Sequence, residues 1–172
     1  MIVFLYMAAI LTGNWLSSMF VPVEIGPFLI SLGTFTVGST FILRDLVQNK
    51  HGRYKTYTFI CSALLLSLIQ SAIMGQGLPV VIASSLAFAV SETTDTEIYT
   101  RLKLPVHWRI WWSGFAGGIL DSAVFIVLGL SPLGMNFMPW SVVPMAIIGQ
   151  SLIKLIMQAI GAGIIKIMGG HR

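Results

Sequence analysis

The sequence predicts an all-α integral membrane protein, folded as a bundle of six transmembrane helices. Of its 172 residues 56% are hydrophobic and only 9% are charged, whereas a soluble domain carries roughly 25% charged residues. Six apolar segments each approach or exceed the ~20 residues that a spanning helix needs. Basic residues are concentrated in alternate connections between these segments. We therefore interpret residues 1–172 as a single transmembrane domain in a lipid bilayer.

The six segments are separated by proline, glycine and groups of charged residues, which end helices or mark a surface. The first lacks a basic n-region and a small-residue cleavage site, so it is expected to be a retained helix and not a signal peptide. The predicted spans are Ile2–Phe20, Pro27–Val47, Tyr54–Met74, Leu78–Leu102, Trp108–Leu130 and Ser141–Met168.

The connections predict the orientation of the chain. The second, RDLVQNKHGRYK, and the fourth, RLKLPVHWR, are basic, as is the end KIMGGHR, while the other three contain no Lys or Arg. Since basic residues favour the cytoplasmic side, we expect both termini in the cytoplasm and the bundle in an inner or plasma membrane. The same placement accounts for the net charge of +4 without a nucleic-acid partner.

Several function classes find no support in the sequence. A single cysteine, Cys61, excludes an internal disulfide and a cysteine-based metal site. No nucleotide-binding loop or metalloprotease motif is present, and all three histidines lie in predicted loops or in the tail. We expect no cofactor, no metal and no enzymatic activity. An enzyme using Glu92 and Asp95 as acid and base and an assembly protein without substrate are the weaker alternatives.

The stretch IASSLAFAVSETTDTEIYTRLK begins as a spanning helix and then becomes acidic. Because residues three and four apart share a helix face, Phe88, Glu92, Asp95 and Tyr99 form one stripe. Glu97 points elsewhere and is expected at the inner interface or paired with Arg101. Intramembrane charges usually mark function, although hydrogen bonds to hydroxyls or to Arg101 would give Glu92 and Asp95 a structural role.

The remaining helices carry isolated polar groups. Asp121 follows three glycines near the middle of the fifth helix, and Lys154 lies at similar depth on the sixth, on one face with Gln150 and Gln158. We expect Asp121 and Lys154 to face one central cavity, either as a functional pair or as a purely structural one. The second helix is expected to end at Arg44–Asp45 near the inner surface. The predicted substrate-binding residues are Asn14, Gln70, Phe88, Glu92, Asp95, Tyr99, Asp121 and Lys154.

The run ASSLAFAVSETTDTEIYTRLK, followed by WWSGFAGGILDSAVF, resembles the core of the vitamin uptake transporter family, whose best-known members carry queuosine precursors. GTFTVGSTFILRDLVQNKHG is similar to the second-helix pattern of that family, and Asn14 and Lys154 fall where its first and last helices usually have these residues. The chain departs from the pattern in being shorter and in having Asn49 and Gln158 where many members have an acid.

The resemblance implies a bundle like the substrate-binding subunits of energy-coupling-factor transporters, and uptake of a deazapurine such as 7-cyano- or 7-aminomethyl-7-deazaguanine. The N1–H and amine edge of such a ligand suits a carboxylate, because charge-assisted bidentate contacts are strong. The candidate acceptors are Glu92, Asp95 and Asp121, the candidate donors to its carbonyl are Lys154, Asn14 and Gln70, and the candidate stacking rings are Phe88 and Tyr99.

The alternative function is a substrate-binding subunit of an energy-coupling-factor transporter for a small vitamin-like molecule, docked through small residues such as Ala9 and Gly13. The sequence leaves open the exact substrate, the coupling ion and the oligomeric state, a homo-oligomer included.

Overall fold

The computed structural model describes residues 1–20, 23–26, 28–75 and 78–167. It confirms the all-α bundle, with a helix at each of the six predicted segments. A π-helical turn, Ile126–Leu130, continues the fifth helix. The helices are α1 Ile2–Met19, α2 Gly33–His51, α3 Arg53–Ile73, α4 Leu78–Arg101, α5 Val106–Phe125 and α6 Val143–Ile167.

A short β-hairpin replaces the predicted start of the second helix. Strands β1 Val23–Ile25 and β2 Phe28–Ile30 pair antiparallel, with Val23 opposite Ile30. Gly26 has φ +60°, a left-handed conformation that glycine adopts at little cost and that reverses the chain. The prediction of helix from residue 27 is therefore wrong. Pro27 itself and Met168, a second predicted helix end, lie outside the described residues.

The inner end of α2 also differs from the prediction. The helix runs to His51 and stops at Gly52, whose φ of +83° suits the glycine that commonly follows a helix. Arg44 and Asp45 therefore lie about two turns before the end of α2 and are completely buried. The expectation that they mark the inner end of the helix is wrong, because other helices supply partners for their charges inside the bundle.

Apolar surfaces on the outside of the bundle fit a lipid environment. By length and composition, three helical segments of the described part are suited to crossing a membrane: Arg53–Ile73, Val106–Leu130 and Val143–Ile167. Exposed apolar residues recur every four positions along α3 and α6, which places them in rows on one side of each helix. These rows are Leu65, Ile69 and Ile73 on α3, and Ile148, Leu152, Ile156, Ile160 and Ile164 on α6.

The packing of the helices leaves α3 at the periphery. α4 packs along α5, α1 along α2, and α6 against both α5 and α2, while α3 contacts mainly α4 and α1. Gly13 and Gly33 allow α1 and α2 to approach closely, since a Cβ on Gly33 would overlap Ser17 and the Gly13 carbonyl. Five helices, α1, α2, α4, α5 and α6, therefore surround the centre of the bundle, where the polar side chains are found.

Candidate functional site

A cavity of about 420 Å³ lies between α1, α2, α4, α5 and α6. Its wall is largely apolar and includes a few polar side chains, as is typical of small-molecule sites. At one end it is lined by Phe20, Met135 and Phe137, which are exposed at the protein surface. These residues belong to the connections after α1 and α5, which contain no Lys or Arg. The cavity thus reaches the surface on the side opposite the basic connections.

Asp121 and Lys154 form an ion pair on the cavity wall. Lys154 Nζ donates to Asp121 Oδ2 at 2.6 Å and to Ser122 Oγ at 2.7 Å. The Lys154 side chain is 3% exposed and that of Asp121 is 15% exposed, so the carboxylate is the more accessible member. The predicted proximity of the two residues is observed, and their role in binding stays a prediction.

Asn14 and Phe88 are the other two predicted site residues on this wall. Asn14 Nδ2 donates to Ser67 Oγ of α3 at 2.9 Å, a contact that orients the amide. The sequence analysis did not select the further polar and aromatic lining residues, although Gln150 was noted four positions before Lys154. These further residues are Ser17, Phe20, Ser31, Thr34, Thr40, Ser84, Phe125, Phe137 and Gln150.

Four predicted site residues do not line the cavity, namely Gln70, Glu92, Asp95 and Tyr99. Gln70 Nε2 donates to the Leu11 carbonyl at 2.9 Å, which ties α3 to α1. The other three follow Phe88 along α4, where each turn of helix rises about 5.4 Å, and they therefore lie deeper in the bundle than the cavity wall. The stripe predicted on α4 starts at the cavity with Phe88 and leaves it with Glu92.

Below the cavity, Arg44 is surrounded by three carboxyl groups, and we call Arg44, Asp45, Glu92 and Asp95 the Arg44 cluster. All four side chains are at most 1% exposed. Arg44 Nη2 pairs with Asp45 Oδ1 at 2.6 Å and with Asp95 Oδ2, whereas Nε is 3.9 Å from Glu92 Oε2. The guanidinium is thus shared mainly by the two aspartates.

Hydrogen bonds extend the Arg44 cluster to neighbouring helices. Arg44 Nη1 donates to Thr96 Oγ1 at 2.7 Å and to the Glu92 carbonyl at 3.2 Å. The Tyr6 hydroxyl of α1 donates to Glu92 Oε2 at 3.1 Å, and the Ser113 hydroxyl of α5 donates to Asp45 Oδ2 at 3.2 Å. The cluster therefore joins α1, α2, α4 and α5.

The central position of Arg44 was not predicted from the sequence. Thr40, Arg44 and Gln48 are spaced by four and share one face of α2; Thr40 lines the cavity, and the Gln48 amide donates to Thr100 Oγ1 at 2.8 Å. This polar spacing was the available signal. It was overlooked because Arg44 was assigned to the basic connection RDLVQNKHGRYK at the inner end of the helix.

Towards the basic connections, Tyr99 and Glu97 have separate partners. The Arg109 guanidinium lies 4.0 Å from the centre of the Tyr99 ring, and its Nε donates to the Tyr99 carbonyl at 3.0 Å. Glu97 pairs with Arg101 at 3.3 Å, as predicted, and also with Arg53. The Tyr99 ring is therefore covered by Arg109 away from the cavity, and Glu97 belongs to a partly exposed network.

Comparison with known proteins identifies a family. The family model described as "Putative vitamin uptake transporter" matches residues 70–168, more than half of the chain and a range that includes Glu92, Asp95, Asp121 and Lys154. No curated protein and no solved structure matches the chain.

Proposed function

Because the chain belongs to the vitamin uptake transporter family and is a multi-pass membrane protein, we propose that it imports a 7-deazaguanine. The ligands proposed are 7-cyano-7-deazaguanine and 7-aminomethyl-7-deazaguanine, precursors of queuosine in tRNA. The family match supports uptake of a small molecule across a membrane. The identity of that molecule is what the resemblance to queuosine-precursor carriers implies, and the chemistry of the cavity is compatible with it.

The accessible carboxylate of Asp121 is the observation that carries this proposal. A guanine-like ring presents N1–H and an exocyclic amine side by side, and a carboxylate accepts such a pair of donors in strong charge-assisted contacts. Lys154 holds one carboxylate oxygen at 2.6 Å and so orients the acceptor. The ammonium of Lys154 and the amide of Asn14 are the donors proposed for the carbonyl of the ligand.

The aromatic wall suits a flat heterocycle. Phe88 of α4 and Phe125 of α5 lie on the same cavity as Asp121, and Phe137 lies towards its exposed end. Stacking of a base on an aromatic side chain contributes ~1–3 kcal/mol. The cavity of about 420 Å³ falls within the range of small-molecule sites, roughly 300–1,000 Å³. We therefore propose that the ring binds between these phenylalanines with its donor edge towards Asp121.

Glu92, Asp95, Tyr99 and Gln70, which the sequence also predicted as ligand contacts, are assigned a different role in this proposal. Each has a partner within the protein or lies away from the cavity wall. We propose that they support the helices that form the cavity and do not contact the ligand themselves.

A stand-alone carrier is favoured over a subunit that needs a separate energising module. The docking surface expected for such a subunit includes Ala9 and Gly13, but Gly13 is buried against α2, where a Cβ would lie 3.2 Å from Val37 Cγ2. This glycine therefore serves contacts inside the bundle. Uptake by the chain expressed alone in a cell without energy-coupling-factor proteins would support the carrier, and uptake that requires those proteins would support the subunit.

We also propose that the basic connections face the cytoplasm. Lys50, Arg53 and Lys55 surround the exposed turn between α2 and α3, and such residues are retained on the cytoplasmic side. The cavity would then open to the opposite, extracytoplasmic side. A reporter fused after Arg172 should report a cytoplasmic position, and an external position would contradict this orientation.

The decisive experiment uses a host that cannot make 7-cyano-7-deazaguanine and carries no other importer of it. Expression of this chain should restore queuosine in tRNA from labelled precursor in the medium. The Asp121→Asn variant should lose this activity while still accumulating in the membrane, and Glu97→Gln, a matched change outside the cavity, should retain it. No restoration by the parent chain, despite its presence in the membrane, would overturn the proposal.

A further inference from the structure

The Arg44 cluster contains more acids than its cation can neutralise. Three carboxyl groups surround one guanidinium, and all are almost completely buried. If every acid were ionised, the cluster would carry two excess negative charges in a low-dielectric interior. Carboxylates that share a buried site cannot all stay ionised cheaply, so at least one of them holds a proton.

The contacts identify Glu92 as the acid that shares the guanidinium least. Asp45 and Asp95 both pair with Arg44 Nη2, while the nearest contact of Glu92 to the guanidinium is 3.9 Å. Glu92 Oε2 instead accepts a hydrogen bond from the neutral Tyr6 hydroxyl at 3.1 Å. Of the three acids, Glu92 therefore loses the least attraction to Arg44 when it binds a proton.

The hydroxyl of Tyr99, on the same face of α4 as Glu92 and Asp95, is buried and makes no hydrogen bond to the described residues. A buried polar atom without a partner costs ~1–3 kcal/mol, so this hydroxyl is free to bond a water molecule beside the acids. The guanidinium already occupies the centre of the carboxyl groups, which disfavours a metal cation there.

The Arg44 cluster lies directly below the cavity. Phe88 of α4 and Thr40 of α2 line the cavity wall. Glu92 follows Phe88, and Arg44 follows Thr40, by four residues, about one helical turn of 5.4 Å. A change in the charge of Glu92 would therefore act on the two helices that carry part of the cavity wall. Tyr6 and Ser113 connect the same charges to α1 and α5.

We infer that the Arg44 cluster is a proton-binding site in which Glu92 carries an exchangeable proton, and that this proton is coupled to transport through the cavity above it. The coupling rests on the proposed function, whereas the proton site does not. The charged and titratable groups facing Glu92 are Tyr6 from α1, Arg44 and Asp45 from α2, Asp95 from α4 and, at the cavity, Asp121 of α5 with its partner Lys154 of α6.

Infrared spectroscopy of the purified protein in lipid tests the proton site without any ligand. The parent should show the carbonyl stretching band of a protonated carboxyl group at neutral pH, and this band should disappear on titration to alkaline pH. Glu92→Gln, which keeps the shape of a protonated glutamate, should lack the band. Glu97→Gln, which changes a glutamate in the partly exposed network outside the cluster, should keep the band. A parent without the band, or a band unaffected by Glu92→Gln, would overturn the inference.

Tyr6→Phe provides a second variant if Glu92→Gln does not accumulate. It removes only the hydroxyl that donates to Glu92, so the protein should fold. The band of the protonated carboxyl should move in frequency and titrate at a different pH. An identical band and titration in Tyr6→Phe would show that the proton is not on Glu92.

Proteoliposomes test the coupling. Uptake of labelled 7-cyano-7-deazaguanine should accelerate several-fold when the outside is made more acidic than the inside, and Glu92→Gln should lose this acceleration while still binding the ligand. Uptake that is equally fast with and without the gradient would overturn the coupling and leave the proposed function intact. Absence of any uptake, together with a band that depends on Glu92, would instead overturn the ligand assignment and leave the proton site standing.

Discussion

Two groups of charges are buried in the part of the bundle that the structure describes, and they differ in balance and in access. At the cavity, one carboxylate meets one ammonium, and Asp121 remains 15% exposed. In the Arg44 cluster, three carboxyl groups meet one guanidinium, and no member is more than 1% exposed. A balanced pair with an accessible member can replace one of its contacts within the protein by a contact to a ligand. An enclosed and unbalanced group can lower its energy only by holding a proton or by keeping its cation.

The largest effect is expected from removal of that cation. Arg44→Gln leaves three buried carboxyl groups without their cation, and breaking a buried ion pair costs ~3–5 kcal/mol. The variant should accumulate poorly or melt at a much lower temperature in detergent. The melting temperature of Arg44→Lys should lie between those of Arg44→Gln and the parent. An ammonium keeps the charge but lacks the guanidinium fork that reaches Asp45, Asp95 and Thr96. Equal melting temperatures for Arg44→Gln and the parent would show that the Arg44 cluster does not stabilise the fold.

Substitution of Asp121 in the Asp121–Lys154 pair should reduce ligand binding more than it reduces stability. Asp121→Asn removes a charge-assisted acceptor worth ~1.5–3 kcal/mol, so ligand affinity should fall by roughly 10- to 150-fold. Lys154 keeps its contact with Ser122 Oγ and lies beside the cavity, so the loss of thermal stability should be smaller than for Arg44→Gln. Binding and melting of the purified variant measure the two effects. A parallel fall in expression and activity would indicate a purely structural pair, and normal transport would refute both roles.

Two adjacent glycines on α5 allow a further comparison of the Arg44 cluster with the Asp121–Lys154 pair. A Cβ on Gly117 would lie 3.0 Å from Asp95 Cβ and 3.1 Å from Phe41, whereas a Cβ on Gly118 would make an ordinary 3.4 Å contact with Lys154 Cβ. Gly117→Ala should therefore destabilise by ~1–3 kcal/mol through overpacking. Gly118→Ala should be nearly neutral, because the better helix propensity of alanine offsets a mild contact. Thermal melting of both variants checks the difference, and the reverse order would show that the Arg44 cluster is the looser region.

The smallest effect is expected outside both regions. Glu97 pairs with Arg101 and Arg53 in a partly exposed network, and such pairs contribute little to stability because water and salt screen them. Glu97→Gln should leave the melting temperature and the uptake rate almost unchanged. A marked loss of uptake in this variant would mean that charge at the inner surface matters to the transport cycle in a way that neither buried region explains.

The sequence by itself determined the class of fold and the acidic face of α4. Long apolar runs and sparse charge predict a membrane bundle, since hydrocarbon tolerates backbone only with its hydrogen bonds satisfied internally. Helical periodicity directed Glu97 away from the acidic face of α4, to the inner interface or to Arg101 four residues away, and the pair with Arg101 is observed. It also placed Phe88, Glu92, Asp95 and Tyr99 on one face of α4, because these relations depend only on local geometry.

Only the tertiary structure decided which partner each buried group meets. Periodicity shows that Phe88 and Glu92 share a face, but packing against α1 and α2 decides that the first reaches the cavity and the second meets Tyr6, 86 positions away in sequence. The central place of Arg44 and the hairpin before α2 depend in the same way on contacts between elements. Such contacts are set by the rotation and separation of whole helices, which no local pattern of residues specifies.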